Sequence, residues 1–260
     1  MKILVSLKQV PHQDARLDIK SDGSWIQEDS IKFEINSYDT YALEEALRIK
    51  DEKEAEVVVA SIGPDRTTQA LRTALGMGAD RAVHVSDDSV EGSDALAIAK
   101  ILAAIGNEES PDLVFTGLMA DDGNFASVGP MVAELLEMPH ATAVMSASLE
   151  GEKLIAEREL EGGALEVVEL QLPCLLAVQT GINQVRYASL KGIMAAKKKP
   201  LDTRSAADLG VQELVGTGAA KIKVQKIYVP PKTQGAEILE GSATDVAEGL
   251  VAKIKELGLL

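Results

Sequence analysis

Apolar and polar positions switch between two periods along the first 140 residues. Short apolar runs at Lys2–Leu7, Glu56–Ile62, Arg81–Val85 and Leu113–Gly117 predict buried strands. Between them, "SYDTYALEEALRIKDE" from Ser37, "DRTTQALRTALGMG" from Asp65, "GSDALAIAKILAAIG" from Gly92 and "ASVGPMVAELLEMP" from Ala126 place apolar residues three and four apart, which predicts amphipathic helices. Ser37 and Asp65 stand where helix caps are expected, and Gly76 and Gly78 where the second helix should stop. This alternation predicts an α/β fold with an open, doubly wound, mostly parallel sheet of the Rossmann-like kind.

Two regions break the rhythm. Residues 10–34 carry short alternating runs on either side of Asp22-Gly23, which predicts a hairpin-like excursion. From Ala141 onward, β-runs separated by Gly151 and Gly162-Gly163 predict an added antiparallel meander that closes on a core strand, "LPCLLAV". Past Pro200 come a polar, irregular and partly helical stretch, a strand-like "KIKVQKIYVP", an extended "PPKTQGAEILEG" and an amphipathic terminal helix, "SATDVAEGLVAKIKELG". An extended arm and helix with little core around them suit a surface laid across a partner.

Charge narrows the function classes. A formal net charge of −15 argues against nucleic acid as a partner, because phosphate binding needs a broad basic surface. Aromatic residues make up 3% of the chain, too few for base-stacking platforms. No apolar run reaches the roughly 18–20 residues that span a bilayer, so the chain is expected not to be integral to a membrane. The opening "MKILVSLKQV" reads as a first strand rather than a leader, and the lone Cys174 suits a reducing compartment, the cytoplasm ahead of the mitochondrial matrix. Against the acidic background, "RYASLKGIMAAKKKP" gathers Arg186, Lys191, Lys197, Lys198 and Lys199 around Leu190, Ile193 and Met194. It reads either as a solvated basic helix end or as a docking segment with an apolar anchor and a steering rim.

Open α/β sheets bind ligands at the carboxyl ends of their strands. The segment there with most content is "TGLMADDGNFASVGP", where Gly117 and Gly123 loosen the backbone and Ala126, Ser127 and Gly129 open the next helix with small side chains. It suits an anion at a helix N-terminus, and equally a plain βα connection in which Asp121 and Asp122 cap the helix. There is no G-x-x-x-x-G-K-[ST], and "GMGADR" has Arg81 where a dinucleotide fingerprint needs its third glycine. His12, His84 and His140 are scattered, so no metal site is expected, and Glu44-Glu45 and Asp87-Asp88 read as surface charge. No self-sufficient catalytic constellation emerges, which points away from an enzyme.

Several segments together resemble one family. "AERELEGGALEVVELQLPCLLAV" (156–178) is similar to the signature of the electron transfer flavoprotein β subunit, and "RYASLKGIMAAKKKP" to that family's recognition loop. "ILVSLKQV", "INSYDTYALEEALRIKD", "SIGPD" and "RTALGMGADRAVHV" resemble it in the same order, so the likeness covers essentially the whole chain. The resemblance implies an electron carrier rather than an enzyme, a heterodimer in which an α subunit holds most of a redox FAD while the β subunit buries a structural AMP. It implies an AMP pocket at Ser6, at Asn36, Ser37, Tyr38 and Asp39, at Ile62, and along Gly117, Asp121, Asp122, Gly123, Asn124, Phe125, Ala126, Ser127 and Val128, the last three at the phosphate. Tyr38 matches a position where an aromatic approaches the flavin of the α subunit. The resemblance further implies that Arg186, Tyr187, Leu190, Lys191, Ile193, Met194, Lys197 and Lys198 meet acyl-CoA or other flavin-dependent dehydrogenases, and that a quinone oxidoreductase or other acceptor takes the electrons. Residues 1–200, with the recognition segment 182–200, are then a nucleotide-binding domain, and 201–260 a C-terminal extension whose helix packs on the α subunit. "VGP" at Val128–Pro130 resembles the electron-bifurcating branch, in which a second FAD replaces AMP, whereas "ELEGGALEVVEL" and "GINQVRYASL" resemble the single-FAD branch. A nucleotide-binding α/β protein without a redox role is the remaining alternative.

Overall fold

The computed structural model describes residues 1–231 and 235–260. The chain runs through β1 (Lys2–Ser6), β2 (Gln9–Pro11), β3 (Phe33–Ile35), α1 (Ser37–Glu52), β4 (Glu56–Ile62), α2 (Thr68–Met77), β5 (Arg81–Val85), α3 (Ala95–Glu109), β6 (Leu113–Gly117) and α4 (Val128–Leu135). It continues through β7 (His140–Glu150), β8 (Lys153–Glu159), β9 (Leu165–Gln171), β10 (Cys174–Val178), α5 (Leu190–Ala196), β11 (Leu201–Arg204), α6 (Gly216–Ala219) and α7 (Ala243–Glu256). A single sheet takes the order β11-β5-β4-β1-β6-β10-β7-β8-β9, parallel from β11 to β7 and antiparallel through β8 and β9. This is the α/β doubly wound architecture, with the meander built onto the same sheet rather than onto a second one. The excursion between β2 and β3 is pinched by an Ile19–Ile26 bridge around the Asp22-Gly23 turn.

Continuous apolar runs make sense because both faces of the parallel strands are covered. Ile3, Val5, Val57 and Val59 face Leu43, Leu47, Leu71 and Leu75 of α1 and α2, while Leu4, Val58 and Ala60 face Ile101, Leu102 and Ile105 of α3 and Val132 of α4. Cys174 is fully buried in β10, and burial pushes its thiol pKa up to about 12, so it is an inert core residue.

Three expectations change. Ser37 does not cap α1; Asn36 occupies that position and turns its side chain elsewhere. Asp65 opens a single 3-10 turn and accepts from the Ser86 hydroxyl at 3.0 Å instead of capping α2. The strand-like "KIKVQKIYVP" forms no strand, whereas the polar stretch after Pro200 supplies β11, paired with β5. Ala206, Val211 and Val215 are buried against the α3 face, so the body continues past residue 200. Beyond Gly216 no described residue is buried, and α7 is held at its start by a Ser242–Asp245 capping box. The middle of "PPKTQGAEILEG" lies outside the described residues. Among the described residues no helix is long and apolar enough to cross a membrane.

Candidate functional site at the topological switch point

From β1 the chain moves to β4 and β5 on one side, then to β6 and β10 on the other, so the order reverses between β1 and β6. The crevice outside the carboxyl ends of those two strands is where a ligand fits in such a sheet. Asp39, in the first turn of α1, bridges it. Its carboxylate accepts the Lys8 backbone N–H at 2.6 Å and the Gly117 backbone N–H at 3.0 Å, joining the ends of β1 and β6. Burial pushes its pKa up to about 7, against the opposing pull of hydrogen bonds from Lys8, Asn36 and Gly117.

Asn36, 1% exposed, secures the start of the next loop: its amide donates to the Met119 carbonyl at 2.8 Å and its oxygen accepts the Asp121 N–H at 2.9 Å. Asp121 then accepts from the Ser37 N–H and hydroxyl, both at 3.0 Å, and Asp122 pairs with the Lys8 ammonium at 2.6 Å. Neither aspartate caps α4; both fasten the loop backwards onto the β1 and α1 side. The second half of the loop is different. Asn124 and Ala126 adopt φ of 54° and 49°, a region that costs non-glycine residues energy, and Phe125 is exposed at the tip.

The helix that follows has no side-chain cap, although Ser127 stands at the cap position. Its first N–H groups therefore have no protein partner of their own helix, and they sit at the positive end of its dipole. Beneath it, the Thr116 hydroxyl is buried without a hydrogen-bond partner among the described residues. A Cβ on Gly129 would come 2.6 Å from that hydroxyl, and a Cβ on Gly117 would collide with the Asp39 carboxylate. The two glycines are required by this packing, Gly117 against Asp39 and Gly129 against Thr116, while the uncapped helix start beside a buried, unpartnered hydroxyl suits an anionic group such as a nucleotide phosphate.

Ser6 ends β1 and Ile62 ends the adjacent β4, both half-buried on the same rim, and Tyr38 lies beside Gly117. Burial and the nearby Asp121 raise the Tyr38 phenol pKa. Sequence reasoning missed Thr116 and Lys8. A threonine inside the apolar "LVFTG" was the available signal for the first; the second gave none.

The basic segment forms a separate surface. α5 exposes Leu190, Ile193 and Met194, spaced three and four apart on one face, and Tyr187 precedes it almost wholly in solvent. Lys191, Lys197 and Lys198 are exposed around them. The other face is fixed to α2: Gly192 rests on the Gly76 carbonyl, Arg72 donates to the carbonyls of Ala196 at 2.6 Å and Lys199 at 2.9 Å, and Lys199 donates to those of Leu75 and Ala79. Lys199 is thus turned inward, where burial lowers its pKa. Arg186, its side chain 32% exposed, is tied to α1: it forks onto the buried Glu44 and reaches the exposed Asp51. Glu44 and Glu45 are buried at 3% and 5% exposure, which corrects their reading as surface charge. His84 is a core residue with its Nε2 3.0 Å from the Gly63 carbonyl. Among the described residues, no group of three or more His, Cys, Asp or Glu side chains could hold a metal ion.

The electron transfer flavoprotein domain model matches residues 24–209. The chain is 41% identical to the electron transfer flavoprotein subunit beta of Methylophilus methylotrophus, over 98% of each chain. It is 36% identical to the human subunit beta, over 99% of this chain and 98% of that one. It is also 40% identical, over 98% of each chain, to the caffeyl-CoA reductase-Etf complex subunit CarD of Acetobacterium woodii. With this coverage from end to end, the chain belongs to the electron transfer flavoprotein β subunit family, whose members pair with an α subunit in electron transfer.

Proposed function

We propose that the chain buries a structural AMP at the β1/β6 crevice and docks electron-donating dehydrogenases through α5. FAD, held mainly by the α subunit and shared at the interface, supplies the redox chemistry and passes electrons to a quinone oxidoreductase or other acceptor. The observation that carries this reading is the uncapped start of α4 above the orphaned Thr116 hydroxyl. The backbone at Ala126, Ser127 and Val128 receives the phosphate. Ser6, Asn36, Ser37, Tyr38, Asp39 and Ile62 line the rest, and Gly117 with Asp121–Phe125 forms the rim. The chain's own residues bind and orient; none of them transfers electrons.

The exposed Leu190 supports docking by one apolar anchor, with Lys191, Lys197 and Lys198 steering an acidic partner such as an acyl-CoA or other flavin-dependent dehydrogenase. The exposed Ile222, Val224, Tyr228, Val229 and Ile238, together with Leu250, Leu257, Leu259 and Leu260 on and after α7, support an arm of the C-terminal extension that packs on the α subunit. The inert, buried Cys174 suits a reducing compartment, the bacterial cytoplasm ahead of the mitochondrial matrix.

A second reading, FAD in place of AMP, has its support in Val128-Gly129-Pro130 and in the similarity to the CarD chain. Denaturing the purified heterodimer and quantifying its nucleotides separates the two. One FAD and one AMP support the first reading; two FAD without AMP support the second; no nucleotide beyond one FAD overturns the pocket. For docking, Leu190→Ala is expected to raise KM for the dehydrogenase about tenfold at unchanged AMP content. Unchanged transfer kinetics would refute it.

A further inference from the structure

Helix α1 reaches both candidate sites. Its start carries Asn36 and Asp39 into the crevice, and one to two turns later Glu44 and Glu45 meet the base of the basic segment. Glu44 accepts three bonds from one residue: the Arg186 backbone N–H at 3.1 Å, its Nε at 2.8 Å and its Nη2 at 2.9 Å. Arg186 Nη2 also reaches Asp51 at 2.8 Å. Glu45 accepts from Asn183 Nδ2 at 2.9 Å, which also donates to the Tyr41 carbonyl at 3.0 Å. A planar guanidinium forked onto a buried carboxylate fixes direction as well as distance. Leu190 follows four residues after Arg186, so this fork sets the point from which the chain departs toward α5.

We propose that Glu44 and Arg186 are positioning residues for partner docking: α2 holds one face of α5 and the end that carries the lysine rim, and the fork on α1 fixes where the chain enters α5, and so where Leu190 stands relative to the nucleotide crevice. Arg186 then acts through the placement of α5 rather than by touching the partner. The inference rests on the docking reading of Leu190 given above.

The test uses the FAD-loaded heterodimer with its α subunit and follows electron transfer from a purified acyl-CoA dehydrogenase. Arg186→Met and Glu44→Gln are each expected to raise KM for the dehydrogenase about tenfold, with kcat lowered less than about twofold. The double variant should be no worse than the worse single one, because both remove the same fork. The salt dependence of KM should match that of the wild type, since Lys191, Lys197 and Lys198 are retained. If Arg186→Met raises KM and flattens its salt dependence while Glu44→Gln does neither, Arg186 touches the partner and the proposal is overturned. The proposal also falls if Leu190→Ala raises KM and neither fork variant does. If Leu190→Ala itself has no effect, the docking reading fails and the proposal with it. Arg186→Lys, which keeps the charge and loses the fork, covers the case in which the other variants do not fold. Faster amide exchange over residues 187–196 is expected there, and unchanged exchange would count against the proposal.

Discussion

The two ends of the parallel sheet are made from the same strands and finished in opposite ways. At the amino ends, Arg81 forks onto Glu109 and donates to Glu56 at 2.7 Å, while Lys2 reaches the Glu109 carboxylate at 3.1 Å and its carbonyl at 2.8 Å. Asp112 accepts the Lys2 N–H at 2.7 Å, and Asp80 takes the Val57 N–H at 2.8 Å and the Lys50 ammonium at 2.6 Å. At the carboxyl ends, the Asp39 carboxylate accepts the Lys8 and Gly117 N–H groups, the Thr116 hydroxyl has no partner among the described residues and α4 has no side-chain cap. One end satisfies itself and contributes stability. The other leaves polar groups of its own unpaired, and it is on these that the proposed anion site rests.

The largest effect is expected at the closed end. Glu109→Ala leaves Arg81 and Lys2 without their shared, largely buried carboxylate, and should cost about 3 kcal/mol in denaturant unfolding while the nucleotide content of the heterodimer stays as in the wild type. Next comes the open end. Gly117→Ala forces a methyl group against Asp39 and should cost about 1–3 kcal/mol. Here the nucleotide should also be lost, read by chromatography of the denatured complex. Retained nucleotide in Gly117→Ala, or lost nucleotide in Glu109→Ala, would erase the distinction between the ends.

What the sequence could reveal follows the same division. The four core strands and the helices between them were legible because burial on both faces writes continuous apolar runs, and glycine or proline marks their limits. The edge strand β11, "LDTR", has one apolar residue and is half exposed, so no pattern announces it. Conversely, "KIKVQKIYVP" alternates as a strand should but has no strand beside it among the described residues, and alternation alone cannot supply one. The glycine and small-residue loop was visible as a candidate anion site. The burial of Glu44 and Glu45 was not, because their partners arrive from about 140 positions away.

The subtlest difference between the ends is in their response to pH. The hydrogen bond from Arg81, then those of Lys2 and the charges of both, hold the Glu109 carboxyl below the ordinary glutamate range despite its burial. The stability that it contributes is complete above the unfolded pKa and fades as pH falls through the folded one. Asp39 has the opposite sign. With its folded pKa raised to about 7, the folded chain binds a proton that the unfolded chain has already released, so stability falls as pH rises from about 4 toward 7 and levels off above. The slope from this one group is at most about 1.4 kcal/mol per pH unit. Asp39→Asn keeps the size, costs one N–H acceptor and removes the titration, so its unfolding free energy should lack that decline across the window. A variant curve parallel to the wild type would mean that Asp39 is already ionised in the folded chain. The open end would then hold a buried charge, steadied by the Lys8 and Gly117 N–H groups and by the charge of the Lys8 side chain.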